Sequence, residues 1–400
     1  MKFIYLFWGL CFIAVLPVNA QDYKAPKFGN GILNLKGKDS TFSMKVGLQM
    51  QFQGMGEWKN ENHEFRDAAY NFNIRRARLK FDGFVYSPKL TYKVVLGLSN
   101  RDISGASIYT SNAPRYILDA VMKWNFYENF ELWFGQTKLP GNREHLISSA
   151  NLQFVDRSIL NSAYNLDRDL GIQLRHQFKI SDDFIVKEAF AFSQGEGRNI
   201  TTGNLGGFQY TSRLELLPFG NFSHKGDYVG GDLSREIKPK MAFGITYDFN
   251  DKAVKTRSNQ GSYMVTDTGL HTSNITTVFV DAMFKYQGFS FMAEYANRKA
   301  SNAIATNADG TVNGAEVQVG NGWNFQSGYL FSNNWEIAAR YTNIGFDQEL
   351  LSKMPEDQFG LAVSKYMVGH KLKVQTDINY LAIENTPDIL MWRVQFQVHF

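Results

Sequence analysis

From residue 42 to residue 400 the chain keeps a period of two. Phe42, Met44, Val46, Leu48, Met50 and Phe52 alternate with Ser43, Lys45, Gly47, Gln49, Gln51 and Gln53. Near the other end Trp392, Val394, Phe396, Val398 and Phe400 alternate with Arg393, Gln395, Gln397 and His399. The stretches 240–249 and 372–380 follow the same rule. Successive side chains of a strand point to opposite faces, so each run has one apolar and one polar face. A soluble antiparallel sandwich also has such strands. Length argues against it. Soluble strands average about five or six residues, whereas these runs reach the nine or more that a tilted strand needs to cross a bilayer.

Two further patterns point to a membrane. Aromatics make up 15% of the residues and gather at segment ends: Trp124, Phe126, Tyr127 and Phe130, then Tyr286 and Phe289, then Tyr329, Phe331 and Trp335. Girdles of this kind mark the two lipid–water interfaces. Connections also alternate. Short ones fall at 86–89, 127–129, 181–183, 287–288, 332–334 and 368–370. Long polar ones fall near 58–69, 99–117, 137–169, 193–208, 250–274, 299–321 and 343–356. Short turns on one side and long loops on the other are the plan of bacterial outer-membrane barrels. The runs number sixteen: 42–54, 70–85, 90–98, 118–126, 130–136, 170–178, 184–192, 209–217, 239–249, 276–286, 289–298, 322–330, 335–342, 357–366, 371–380 and 389–400. The sequence therefore predicts an all-β fold, a transmembrane antiparallel β-barrel of about 16 strands. Residues 218–238 are long for a turn and stand apart from the pattern.

The first twenty residues read as a secretory signal peptide. Lys2 precedes the apolar run 3–15, and Val18-Asn19-Ala20 has the small-x-small form of a cleavage site. That run is shorter than the ~20 residues a helical span needs. Residues 21–40 show no strand pattern and are expected to form a periplasmic arm, with the barrel over 41–400. The only cysteine, Cys11, leaves with the signal, so disulfides and thiolate chemistry are excluded. Losing Lys2 lowers the formal net charge of +4 by one, too little to decide partners. The closing Phe400 ends an aromatic strand, as in barrels recognised for membrane insertion.

The most informative charges sit in the second run. Phe72 and Ile74 share a face, the phase slips, and Ala77, Leu79 and Phe81 continue the apolar face. A β-bulge near Arg75 and Arg76 explains the slip. Arg76, Arg78 and Lys80 then face the lumen, because each cation would cost ~2–4 kcal/mol on the lipid face near the midplane. Two roles are open to them: pairing with wall carboxylates to hold the barrel's shape, or touching solute. The wall candidates are Arg75, Arg76, Arg78, Lys80, Lys93 and Lys123. Lys138, Arg143, Arg157 and Arg168 belong to a loop expected to fold inward. Asp82, Asp119, Glu131 and Asp169 are the expected counter-charges. Arginine binds oxyanions through a fixed fork and stays charged, and conduction needs sites weak enough to release ions.

Several segments resemble a known family. Phe72-Asn73-Ile74-Arg75-Arg76-Ala77-Arg78-Leu79-Lys80-Phe81-Asp82-Gly83 is similar to the second-strand signature of the phosphate-selective porin O and P family. The stretch from Gly135 to Glu144, followed by Phe154-Val155-Asp156-Arg157-Ser158, resembles that family's third loop. Glu215-Leu216-Leu217-Pro218-Phe219-Gly220 looks like its mid-barrel turn. The resemblance implies a trimeric 16-stranded porin of the bacterial outer membrane, constricted by its third loop and passing small anions of the phosphate and polyphosphate class.

The partners expected are therefore small anionic solutes, outer-membrane lipid and two further copies of the chain. Acids such as Glu196 and Asp227 keep a non-selective nutrient pore as the alternative. None of the seven histidines has metal-ligand spacing, no phosphate or dinucleotide loop occurs, and no cofactor is expected. A basic patch for nucleic acid is lacking. An outer-membrane enzyme would have to use His145 with Ser148 or Ser149. A plugged transporter needs about 22 strands and a plug, for which there is no room. Loops such as 299–321 leave an adhesin open.

Overall fold

The computed structural model describes residues 26–61, 64–103 and 105–400. The signal peptide expected over 1–20 lies outside these residues. Sixteen antiparallel strands form one closed barrel, and each overlaps one of the sixteen runs read from the sequence. They are β1 Phe42–Glu61, β2 Glu64–Val85, β3 Ser87–Gly97, β4 Ile117–Tyr127, β5 Phe130–Lys138, β6 Arg168–Lys179, β7 Ile185–Ser193 and β8 Gln209–Leu217. The second half comprises β9 Lys240–Ala253, β10 Ser273–Tyr286, β11 Phe289–Ala300, β12 Gly320–Leu330, β13 Trp335–Phe346, β14 Glu356–Val368, β15 Leu372–Ile383 and β16 Asp388–His399. Closure comes from β1, which pairs with β2 on one side and with β16, from Gln49↔His399 to Asn60↔Asp388, on the other. A closed ladder satisfies every backbone donor within the hydrocarbon, where water cannot.

The barrel is inverted relative to a soluble protein. Phe134, Ile172, Phe190, Ile245, Phe325, Ile337, Leu361 and Ile378 are exposed on the outside, while Gln51, Gln173, Thr246, Asp281, Glu336 and Gln375 are buried within. Among the described residues no helix is long and apolar enough to cross a membrane; the strands do the crossing.

The arm differs from its patternless expectation. Leu33–Lys36 form a short strand antiparallel to Ser43–Val46 of β1. The reason is an open edge: β16 pairs with β1 only from Gln49 onward, and the arm covers the ladder below that point. The Phe28 ring packs on Phe400 at 5.4 Å between centroids.

Two segments pack into the lumen. The loop between β5 and β6, with short helices at Arg143–Leu146 and Ile159–Tyr164, bonds to inward-facing residues of the far wall. Gln375 and Lys373 of β15 donate to the carbonyls of Gln153 and Leu152, and Asp377 accepts from the Val155 amide. Glycine makes room for it: a Cβ on Gly328 would lie 2.2 Å from the Gln153 amide nitrogen. The second segment is the long 218–239 connection between β8 and β9. Lys285 donates to the carbonyl of Val229 at 2.8 Å, and His370 Nε2 lies 2.9 Å from that of Gly230. It is therefore an inward-packed element, which accounts for its excess length.

Candidate functional site

The β2 bulge lies where the sequence phase slips. Gln51 pairs with Arg76 and Phe52 with Ile74, so Arg75 is the extra residue. Both arginines then reach inward to Asp156 of the β5–β6 loop. Arg75 Nη2 and Nε donate to Asp156 Oδ1 at 2.7 and 3.0 Å. Arg76 Nη2 reaches it at 3.3 Å, and Arg393 Nη1 reaches Oδ2 at 3.5 Å. Burial by itself would raise the Asp156 pKa, but Arg75, Arg76 and Arg393 outweigh it and hold the carboxyl well below the usual range.

Most of the other candidates are also held. Arg78 forks onto Asp102 at 2.6 and 2.8 Å and donates to Ser149 Oγ at 2.8 Å. Arg143, fully buried, bridges Asp281 at 2.7 Å and Glu215 at 2.9 Å. Arg168 sits between Asp119 and Asp167, each at 3.1 Å. Arg157 donates to the carbonyls of Ile147 at 2.7 Å and Glu144 at 3.0 Å. Lys138 caps the same helix end, at the carbonyls of Ile147 and Leu146. These contacts shape the loop. Lys80 and Lys93 pair with Asp82 and Asp119, each at 3.0 Å, yet their side chains keep 37% and 33% exposure against 4% for Arg76.

Of the expected counter-charges, Asp82 and Asp119 thus meet cations. Asp169 instead accepts the amides of Gly195 and Leu170. Glu131 accepts the Trp133 indole N–H at 2.7 Å.

A cavity of about 790 Å³ opens against the inner wall of β3 to β8 and is roofed by the 218–239 segment. Its basic lining is Lys93, Lys123, Lys138, Arg175, Lys187, Arg213 and Lys225, seven residues against the four acids Glu131, Glu188, Glu215 and Asp227. Lys123 places Nζ 3.6 Å from the Trp133 ring centroid, and Arg175 its Cζ at 4.1 Å. Arg175, Lys187 and Arg213 were absent from the candidates drawn from sequence. Alternation could have found Arg175: it lies between Leu174 and His176, on the face shared with Gln173 and opposite Leu170, Ile172 and Leu174. Lys187 pairs with Asp227 at 2.6 Å, and Arg213 with Glu215 and Asp281.

The loop histidine does not join the serines beside it. His145 Nε2 lies 2.7 Å from Asp167 Oδ1, and Nδ1 lies 3.0 Å from the Asn165 amide nitrogen. With Nδ1 receiving that amide, the ring is neutral. Burial, helped by Lys138 and Arg157, pushes its pKa down to about 4 against the pull of Asp167. Ser148 caps Ala150, and Ser149 serves Arg78.

Comparison with known proteins agrees with this geometry. The family model for phosphate-selective porin O and P matches residues 42–387. An uncharacterized protein of Aquifex aeolicus is 22% identical over 397 residues, covering 91% of this chain and 88% of that protein. Among solved structures, OmpF of Salmonella typhi in complex with daunomycin superposes with a TM-score of 0.55 at 13% identity, covering 91% of this chain and all of that one. An anion-selective porin from Comamonas acidovorans superposes with a TM-score of 0.53 at 10% identity, covering 90% and 100%.

Proposed function

Since this chain belongs to the phosphate-selective porin O and P family and is a porin of the bacterial outer membrane, we propose that it passes small hydrophilic solutes passively, with a preference for anions of the phosphate class. The observation that carries this reading is the excess of basic over acidic residues on the cavity wall, seven to four. Fixed charge of one sign in a confined aqueous path raises the local concentration of the opposite ion. Lys80, Lys93 and Lys123 are the candidates that reach solute, and the pinned arginines brace the constricting loop. The protein works as a homotrimer without cofactor or catalysis. Its leader ends at Ala20, and its arm, residues 21–40, stays on the periplasmic side.

One observation favours the alternative of a general pore. Arg75, Arg76, Arg78, Arg143 and Arg168 all contact carboxylates, and compensated charge selects weakly. Osmotic swelling of proteoliposomes in anionic, neutral and cationic solutes of matched size separates the two. Faster permeation of anions supports the proposal, and equal rates support the general pore.

A further inference from the structure

We propose that the cavity on the turn side of the constricting loop holds a discrete oxyanion station, made by Lys123 and Arg175 around the Trp133 indole. This rests on the anion-preferring reading and adds a place and a ligand class to it.

The three side chains come from adjacent strands and share the inner face. Lys123 of β4 is opposite Trp133 of β5, and Trp133 is opposite Gln173 of β6, two residues before Arg175. Both cations lean on one ring, at 3.6 and 4.1 Å from its centroid. The nearby acid, Glu131, lies opposite Arg175 in the register and keeps its charge, but it gives Oε2 to the indole N–H and forms no ion pair with either cation, so one acid stands against two bases. Among the described residues no carboxylate oxygen lies within ion-pair distance of either cation, whereas Arg75, Arg78, Arg143, Arg168, Arg213 and Arg393 all have one.

An aromatic face attracts a cation through its quadrupole but carries no net charge. Trp133 therefore fixes the position of two positive groups without cancelling their field. Gln173 takes Arg175 Nε and Nη2, which leaves Nη1 for a ligand. Their distances to the ring centroid keep the two cations within about 8 Å of each other, so a carboxylate or phosphate seated beside the ring edge is in reach of charge-assisted bonds of about 2.8 Å from both. Both residues line the open cavity, so the ligand can leave again, as conduction requires.

The test is block of chloride current by inorganic phosphate in planar bilayers, applied to each chamber in turn, with succinate as a carboxylate probe. Wild type, Lys123→Gln, Arg175→Gln and Trp133→Leu are compared, and heat-modifiable electrophoretic mobility reports the folded barrel. The half-blocking concentration should rise at least ten-fold in either charge variant. It should rise several-fold in Trp133→Leu, which keeps both charges and loses their support. Unchanged block in folded Lys123→Gln or Arg175→Gln overturns the station, and unchanged block in Trp133→Leu overturns the role given to the indole. Wild-type ion preference is read in the same bilayers. Anion preference with unaltered block sinks the station alone, whereas cation preference sinks the reading beneath it as well.

Discussion

The amide of Gly230 donates to the carbonyl of Asn151 at 2.7 Å, so the turn-side segment 218–239 and the constricting loop are tied to each other inside the barrel. Both also hold the wall independently, through Lys285 and His370 on one side and Lys373 and Gln375 on the other. The cavity that these two segments leave lies against β3 to β8.

Replacing residues 223–236 by a short Gly-Ser turn should therefore widen the turn-side opening. Single-channel conductance in potassium chloride is expected to rise modestly, since the turn-side opening is one resistance in series with the narrower constriction at the loop. Unchanged conductance would mean that this segment lies outside the current path.

Asp156→Asn keeps the shape of the side chain and removes the charge shared by Arg75, Arg76 and Arg393. Breaking a buried ion pair from one side costs about 3–5 kcal/mol, so the thermal midpoint of the folded barrel should drop. The freed arginines should shift the zero-current potential further toward anions. A drop in stability without any such shift would assign these arginines a purely structural role.

His145 gives the constricting loop a dependence on pH. Its pKa in the fold is about 4 against an ordinary 6.5, so the unfolded loop takes up the proton first. The contribution to stability is complete above about pH 6.5 and disappears as pH falls toward 4, a loss approaching 3 kcal/mol by the usual conversion of about 1.4 kcal/mol per unit. Current noise and closures from loop motion should grow across that window. His145→Gln should flatten the dependence.

Gly328→Val places a branched side chain where the Gln153 amide now sits, 2.2 Å from the position of a Cβ. Gln153 would lose its bonds to Glu336 and Ser290. Looser seating of the loop should appear as faster proteolysis within 139–167 and broader conductance levels, with the barrel itself intact.

Much of this architecture is legible in the alternation of residues. The bulge at Arg75 could be read because the phase of Phe72 and Ile74 does not match that of Ala77 and Leu79, and lipid tolerates only one solution. The fate of the charges was not legible. Arg75 meets Asp156 across 81 positions and Arg143 meets Asp281 across 138, and local pattern carries no information about such partners. Trp133 shows the same limit: its sequence reads as one aromatic among many, and only the register of β4, β5 and β6 brings two cations to its ring. The direction taken by 218–239 depended likewise on distant carbonyl acceptors.

An anion-preferring pore is defined by the sign of the charge that crosses most readily. Its most direct test is the zero-current potential of the wild-type protein in a planar bilayer under a ten-fold gradient of potassium chloride. A potential displaced toward the chloride equilibrium value is the predicted result. Displacement toward the potassium value would contradict it.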